Sequence, residues 1–232
     1  MKIGVFAYNF KHKKTQEGLI NLFLNNHKVE CILAANPVKL NFYQSKIRIT
    51  PKNINYEHPK NIAKRLEIPY HIVIHNSETC KNLIKKYDLD IGIVLGSRIL
   101  KKEIIDSFKI GVINLHPGLL PENRGLDNLK WAILKGIKQG VTSHFINEKI
   151  DHGKIITKRE IEIYKDDSLV DIFLRIQDME QKLMIESLKM LEENNLNLIK
   201  IENKEASEKA VPLELEKNLF SKFKRYKEKF GI

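Results

Sequence analysis

Cysteine is scarce in this chain, and the scarcity excludes a disulfide framework. Cys31 and Cys80 are the only cysteines among 232 residues, and they form no CxxC pair. Both are expected to be buried thiols in a reducing compartment. Long apolar runs are also absent, since no stretch approaches the roughly 20 apolar residues of a transmembrane helix. The first residues run from hydrophobic to basic, the reverse of a signal peptide, so the sequence predicts a cytoplasmic protein without a membrane partner.

Several phosphate-binding and catalytic motifs are missing as well. No GxGxxG follows the first predicted strand and no GxxxxGK(S/T) occurs, so dinucleotide and P-loop sites lack their glycine-rich turn. The GxSxG nucleophile elbow does not occur either. His71 and His75 have no third ligand or cysteine pair nearby, so no metal site is predicted.

Acidic residues are outnumbered: 29 Asp and Glu stand against 40 Lys and Arg, a net charge of +11. This excess favours polyanionic ligands such as nucleic acid, phosphorylated metabolites or polyglutamylated cofactors. A general compositional bias explains it equally well, because Lys, Ile and Asn are abundant throughout and no basic patch alternates regularly with aromatic residues. The 42% hydrophobic and 30% charged residues are typical of a globular protein.

Short apolar strands alternate with helical segments over most of the chain. The predicted strands are 2–8, 29–34, 70–74, 90–95, 111–115, 141–146 and 154–164. The predicted helices are 15–25, 59–66, 77–87, 101–108, 127–135 and 168–191. This alternation predicts a doubly wound α/β fold, with a mostly parallel sheet, helices on both faces and right-handed crossovers.

The chain is expected to form one catalytic domain over residues 1–192, followed by a basic, helical or irregular C-terminal extension over residues 193–232. Asp166 or Asp167 is expected to cap the last long helix, whose apolar stripe should face the core. The polar stretch 36–56 is predicted to be a long loop, and such loops are often functional.

Polar side chains follow two of the predicted strands. Ligands of open parallel sheets bind where strands reach their carboxyl edge. Asn114 and His116 lie two residues apart, hence on one side of the strand, and a turn with two prolines and a glycine follows. Asp151 follows a later strand, and its turn could bring it to the same edge. Each residue also has an ordinary interpretation, as a loop amide, a hydrogen-bonded strand-end histidine or a β-turn aspartate.

The order of these residues and their neighbours resembles the folate-dependent formyltransferase family. This family includes glycinamide ribonucleotide, methionyl-tRNA and sugar N-formyltransferases. The similarity runs from about residue 90 to residue 153. Its motifs are Arg98-Ile99-Leu100, Asn114-x-His116-Pro117-x-Leu119-Leu120-Pro121, Arg124-Gly125, Trp131-Ala132-Ile133, Gly140-Val141-Thr142-x-His144 and Asp151-x-Gly153.

The resemblance implies that Asn114, His116 and Asp151 are catalytic and that 10-formyltetrahydrofolate is the co-substrate, with no metal. Asn114 and a protonated His116 would stabilise the oxyanion that forms when an amine attacks the formyl carbon. Asp151 would favour the imidazolium and help to remove the amine proton. His144 would support the site from behind or simply be a core histidine. The implied cofactor-binding residues are Arg98, Ile99, Leu100 and Ile150.

Departures from the family narrow the choice of amine. Residues 6–13 lack the glycine- and serine-rich phosphate turn of glycinamide ribonucleotide formyltransferases. The polar tail does not resemble the β-barrel domain of methionyl-tRNA formyltransferases, so nucleic acid is not expected as a partner. The resemblance favours a nucleotide-linked amino sugar as acceptor, with glycinamide ribonucleotide or another small amine as the alternative. A non-catalytic nucleic-acid-binding module is the alternative of another class, and a homodimer is left open.

Overall fold

The computed structural model describes residues 1–38, 45–52, 54–149, 151–202 and 206–232. Its strands are β1 (Ile3–Tyr8), β2 (Val29–Ala35), β3 (Tyr70–Ile72), β4 (Ile91–Val94), β5 (Gly111–His116), β6 (Gly140–Ile146), β7 (Gly153–Glu160) and β8 (Ile199–Lys200). Its helices are α1 (Lys13–Leu24), α2 (Pro59–Arg65), α3 (Glu78–Lys86), α4 (Lys102–Ile105), α5 (Asn128–Lys135), α6 (Leu169–Glu192), α7 (Leu213–Glu216) and α8 (Leu219–Phe230). Each predicted strand and helix is present.

The eight strands form one sheet in the order β3-β2-β1-β4-β5-β6-β7-β8. The five strands from β3 to β5 are parallel, whereas β6, β7 and β8 each pair antiparallel with the preceding neighbour. The predicted α/β fold with a mostly parallel sheet is thus confirmed. The β6–β7 pair is antiparallel because the short turn between these strands has no crossover helix and can only form a hairpin.

Helices cover both faces of the sheet, as predicted. Alternate residues of one strand enter different apolar clusters, with Val5 in the larger cluster and Phe6 in the smaller. The larger cluster contains residues of α1, α2, α5, α6 and α8, and the smaller contains residues of α3 and α4. Because strand side chains alternate between faces, the two clusters lie on opposite sides of the sheet.

The cap of α6 differs from the prediction. Ser168 is the N-cap, since its hydroxyl accepts from the amide of Asp171 at 3.2 Å while the Asp171 carboxylate accepts from the Ser168 amide at 2.8 Å. This reciprocal pair is a capping box. Asp167 is not the cap, because its two oxygens accept from the Arg175 guanidinium at 2.9 Å each. Asp166 is exposed.

The C-terminal extension packs against the preceding domain. Leu219, Phe223 and Tyr226 of α8 are buried members of the larger cluster. Lys130 of α5 forms an ion pair of 2.7 Å with Glu216 of α7, and both side chains are almost fully buried. The boundary at residue 192 coincides with the end of α6 and stays a prediction as a division between domains.

Part of the predicted loop 36–56 also reaches this ion pair. The Ser45 hydroxyl hydrogen-bonds to Glu216, and the Lys46 amide donates to the same carboxylate at 2.9 Å. Burial alone would raise the pKa of Glu216, but these donors and Lys130 lower it to about 2. Positions 39–44 and 53 of the loop lie outside the described residues.

The two cysteines are buried free thiols, as predicted. Burial raises the pKa of Cys31 and of Cys80 to about 12, so neither is a reactive thiolate. Within the described ranges, no helix is long and apolar enough to cross a membrane.

Candidate active site

Asn114 and His116 project from one face of β5. Val112 precedes them on the same face and belongs to the smaller apolar cluster. Across the β5–β6 pair, Asn114 lies opposite His144 and His116 lies opposite Thr142. Directly opposite residues of antiparallel strands share a face of the sheet. The polar side chains of these four residues therefore continue the face on which Val112 packs in the smaller apolar cluster.

The loop after β5, residues 117–126, lies over this polar surface. The Thr142 hydroxyl donates to the carbonyl of Gly118 at 2.7 Å and accepts from the amide of Leu120 at 3.0 Å. A Cβ atom at position 118 would lie 2.9 Å from Nε2 of His116. Glycine is therefore needed there for the loop to approach the imidazole.

Both ring nitrogens of His116 face oxygen acceptors. Nδ1 lies 3.2 Å from Oδ1 of Asp151, and Nε2 lies 2.7 Å from the carbonyl oxygen of Asn123. The Asn128 side-chain amide donates to the same carbonyl at 3.0 Å. A carbonyl oxygen cannot donate, so a ring with hydrogen bonds to both oxygens carries a proton on each nitrogen. Nε2 also lies 3.2 Å from the side-chain nitrogen of Asn128, and the two oxygens allow His116 to donate from both ring nitrogens.

Asp151 reaches His116 over the face of the sheet. Thr142 of β6 is opposite His116, while Phe145 is opposite Ile113, so β6 runs back toward the amino end of β5. The turn that carries Asp151 begins after β6 ends, about four residues or ~13 Å of strand from Thr142. Asp151 must therefore lie back over the face to make the observed contact. The sequence predicted that this turn would bring Asp151 to the edge of Asn114 and His116, and the contact at His116, the last residue of β5, agrees with that prediction.

The Asp151 carboxylate is fixed at both oxygens. Oδ1 faces His116, and Oδ2 accepts from the amide of Gly125 at 2.7 Å. Burial acts to raise the pKa of Asp151, but the hydrogen bond and charge of His116, together with the Gly125 amide, lower it overall. Asp151 is therefore ionised near neutral pH and can balance a positive His116.

His144 is fully buried and lies beside Asn114. Its Nε2 is 3.3 Å from the side-chain nitrogen of Asn114, and its ring is perpendicular to that of His116 at a centroid distance of 6.4 Å. Burial, reinforced by the charge of His116, lowers the pKa of His144 to about 3. A neutral His144 accepts one N–H of the Asn114 amide, which leaves the second N–H for another acceptor.

The predicted cofactor-binding residues follow β4. Arg98 and Ile99 are exposed, the latter at 60%, whereas the side chain of Leu100 is buried in the smaller cluster. The Asn76 side chain donates to the Ile99 carbonyl and accepts from the Lys101 amide, each at 2.8 Å. Ser77 is the N-cap of α3, and the preceding residue Asn76 holds this loop.

Ile150 lies outside the described residues. Among the residues that the structure does describe, no group of three or more His, Cys, Asp or Glu side chains is placed to hold a metal ion. His71 bonds to the Tyr87 hydroxyl at 2.8 Å and His75 to the Leu33 carbonyl at 2.9 Å.

The sequence interpretation missed the contributions of Asn123, Asn128 and Gly125. Asn123 acts through its backbone carbonyl, which carries no signal in residue type, whereas Gly125 belongs to a family motif but was given no role. Asn128 offered a weak signal, as a polar residue at the start of a helix close to His116 in sequence. The Asn128 side chain is buried, and its amide donates to the Asn123 carbonyl.

Fold and site together define an α/β protein in which a buried His116 lies between a partly buried Asn114 and a partly buried Asp151, where the parallel and antiparallel parts of the sheet meet. The family model described as formyl transferase matches residues 18–188, and the chain belongs to this family.

Individual relatives have different acceptors in their names. The chain is 32% identical over 157 residues to the methionyl-tRNA formyltransferase of Fusobacterium nucleatum, covering 66% of this chain and 50% of that protein. It is 34% identical over 110 residues to the dTDP-4-amino-4,6-dideoxyglucose formyltransferase of Mycobacterium bovis, covering 47% and 46%. The chain thus spans about half the length of the curated relatives it matches.

A solved structure shares the fold. The phosphoribosylglycinamide formyltransferase of Anaplasma phagocytophilum superposes with a TM-score of 0.66 at 20% identity, covering 89% of this chain and 97% of that one. At this identity the similarity establishes the architecture only.

Proposed function

We propose that this protein transfers a formyl group from 10-formyltetrahydrofolate to a primary amine. The observation that carries the proposal is the meeting of Asn114, His116 and Asp151 on one sheet face, with His116 hydrogen-bonded at both nitrogens. Membership of the formyl transferase family supports the same reaction.

The roles follow from the charges that develop. When the amine nitrogen attacks the formyl carbon, the carbonyl oxygen becomes negative and the nitrogen becomes positive. The second N–H of Asn114 donates to that oxygen, and the positive charge of His116 adds to its stabilisation. Asp151 keeps His116 charged and assists the loss of the amine proton, directly or through water. The nitrogen–carbon bond to the acceptor forms, the bond to the folate nitrogen breaks, and a proton ends on that nitrogen.

The folate is proposed to lie beside Arg98, Ile99, Leu100 and Ile150. The backbone of this loop is held in place by Asn76, and the exposed Ile99 side chain offers an apolar surface to a flat heterocycle. No metal takes part in the proposed reaction.

The acceptor that we propose is the amino group of a nucleotide-linked amino sugar. The turn after β1 stacks the rings of Tyr8 and Phe10 at 4.9 Å and has no glycine-rich cradle for a phosphate. Similarity to a protein named as a dTDP-amino sugar formyltransferase supports this choice. Glycinamide ribonucleotide or another small amine is the alternative, and we propose a cytoplasmic enzyme.

The test is a panel of acceptors with purified protein and 10-formyltetrahydrofolate. Nucleotide-linked 3- and 4-amino sugars, glycinamide ribonucleotide and initiator methionyl-tRNA are compared by tetrahydrofolate release and product mass. His116→Ala should lower kcat by about 10²- to 10³-fold. His71→Ala is the matched control, because His71 lies in β3 and bonds to Tyr87, away from the site.

Each outcome has a distinct meaning. Formylation of one amino sugar, lost in His116→Ala and kept in His71→Ala, supports reaction and acceptor together. Activity on another amine keeps the reaction and replaces the acceptor. Absence of folate binding and of activity would reject the enzyme; salt-dependent binding of unrelated RNA would then favour the nucleic-acid-binding module.

A further inference from the structure

A segment of the C-terminal extension, residues 206–212, runs along the loop that follows β5, and we call it the strap. The amide of Glu208 donates to the carbonyl of Arg124 at 3.0 Å, and the amide of Leu126 donates to the carbonyl of Glu208 at 2.9 Å. These bonds form a parallel bridge between Glu208 and Gly125. The strap thus holds the backbone on both sides of Gly125.

The Gly125 amide lies between these two hydrogen bonds to Glu208 and points at the active site. It donates to Oδ2 of Asp151 at 2.7 Å, while Oδ1 of the same carboxylate faces His116 at 3.2 Å. We propose that the strap is a positioning element: it aims the Gly125 N–H at Asp151 and thereby holds Asp151 against His116. The expected fall in kcat rests on the proposed function, whereas the expected change in the Asp151 pKa does not.

The requirement for glycine at position 125 has the same origin. Gly125 has a φ of +102°, and a Cβ atom there would overlap the backbone of Glu208. A side chain at this position would therefore push the strap away from the loop as well as strain the backbone.

Side chains anchor the rest of the strap to α5 and its cap. The amide of Val211 donates to Oδ2 of Asp127 at 3.0 Å, and Nε1 of Trp131 donates to the carbonyl of Lys209 at 2.8 Å. Glu208 also forms an ion pair with Lys135. Trp131 is the single tryptophan of the chain, so its fluorescence reports whether the strap is docked.

Glu208→Pro is the variant that tests the inference. Proline removes the N–H that binds the Arg124 carbonyl. Glu208→Ala is the matched control, since it keeps both backbone groups and removes only the ion pair with Lys135. Strap docking is followed by Trp131 emission and acrylamide quenching, and folding by far-ultraviolet circular dichroism. If the emission and quenching of Trp131 are unchanged in Glu208→Pro, Asp127→Gly is added. This second substitution removes the carboxylate that accepts from the Val211 amide.

We expect kcat to fall about tenfold to a hundredfold when the strap is undocked, because small displacements of reacting groups have effects of this size. The KM values for both substrates should change little, and Glu208→Ala should resemble the wild type. A folded variant with an exposed Trp131 and a wild-type kcat would overturn the inference.

A second measurement does not depend on activity. The imidazoles of His116 and His144 and the Gly125 amide are the groups that act on Asp151. Loss of the Gly125 hydrogen bond should raise the pKa of Asp151, measured by carboxyl ¹³C NMR, toward its ordinary value. Should the wild type transfer no formyl group, the proposed function fails but this titration still decides: an unchanged Asp151 with an undocked strap rejects the inference.

Discussion

Two histidines of the site lie 6.4 Å apart in different surroundings. His116 lies between the Asp151 carboxylate and the Asn123 carbonyl, which both accept hydrogen bonds. Burial, reinforced by His116, lowers the pKa of His144 to about 3, although Asp151 and the backbone at His152 and Phe145 act in the opposite direction. A neutral His144 is compatible with the imidazolium proposed for His116, because a second positive charge would repel the first.

The neutral His144 predicts how stability depends on pH. In the unfolded chain His144 takes up a proton below its ordinary pKa of 6.5, whereas the folded protein does not until about 3. Unfolded molecules bind more protons in that window, so stability falls as the pH is lowered through it. Each such group contributes at most about 1.4 kcal/mol per pH unit. His12, with a pKa lowered to about 4 by burial and Lys14, acts in the same direction.

His144→Gln should flatten this dependence. Urea unfolding at several pH values between 6.5 and about 4 measures it, and the difference in slope between the two proteins is the quantity of interest. Above that window the slopes should agree, whatever the substitution costs in packing. An equal slope inside the window would contradict the assignment of a neutral His144.

Gly118→Ala should damage the site directly. The added Cβ would lie 2.5 Å from the Asn123 carbonyl oxygen and 2.9 Å from Nε2 of His116. Relief of these contacts should cost about 1–3 kcal/mol of stability and displace the imidazole. The displacement should lower kcat about a hundredfold. Gly136→Ala is the control: its Cβ meets nothing within 4 Å, and only its φ of +63° is strained, so it should lose stability without losing activity.

At the scale of elements, the cap of α6 allows a simple test. Ser168→Ala removes the hydroxyl that accepts from the Asp171 amide and should lower the free energy of unfolding by about 1 kcal/mol. Asp166→Ala should change it by less than about 0.5 kcal/mol, because Asp166 is exposed and is not the cap. Thermal melts of the two variants give the comparison. Equal losses would show that the cap was assigned to the wrong residue.

The elements were largely predictable because short apolar strands and amphipathic helices have distinct periods. The direction of β6 was not, since α5 separates it from β5 as a crossover helix would in a parallel pair. The spacing of Asn114 and His116 placed both on one face. The order of the family motifs indicated that Asp151 would join Asn114 and His116. The Asn123 carbonyl is a backbone group, so no pattern of residue types indicates its contact with His116.

At the scale of the whole molecule, the extension and the domain share one core. Leu219 and Tyr226 are buried in the larger cluster, and Glu216 neutralises Lys130 inside the protein. Removing one partner of a buried ion pair typically costs about 3–5 kcal/mol, since it leaves an uncompensated charge. That loss alone is comparable to much of the stability of an ordinary domain.

A chain that ends at residue 192 should therefore fail to fold cooperatively. The truncation exposes the surface that α8 covers and leaves Lys130 buried without Glu216. Circular dichroism melts and size-exclusion chromatography compare it with the full chain. Lys130→Met in the truncated chain separates the two contributions: it should recover part of the loss if the lone cation matters, and none if only the apolar surface does. A truncated chain that melts as sharply and as high as the full one would show that residues 1–192 form an independent domain.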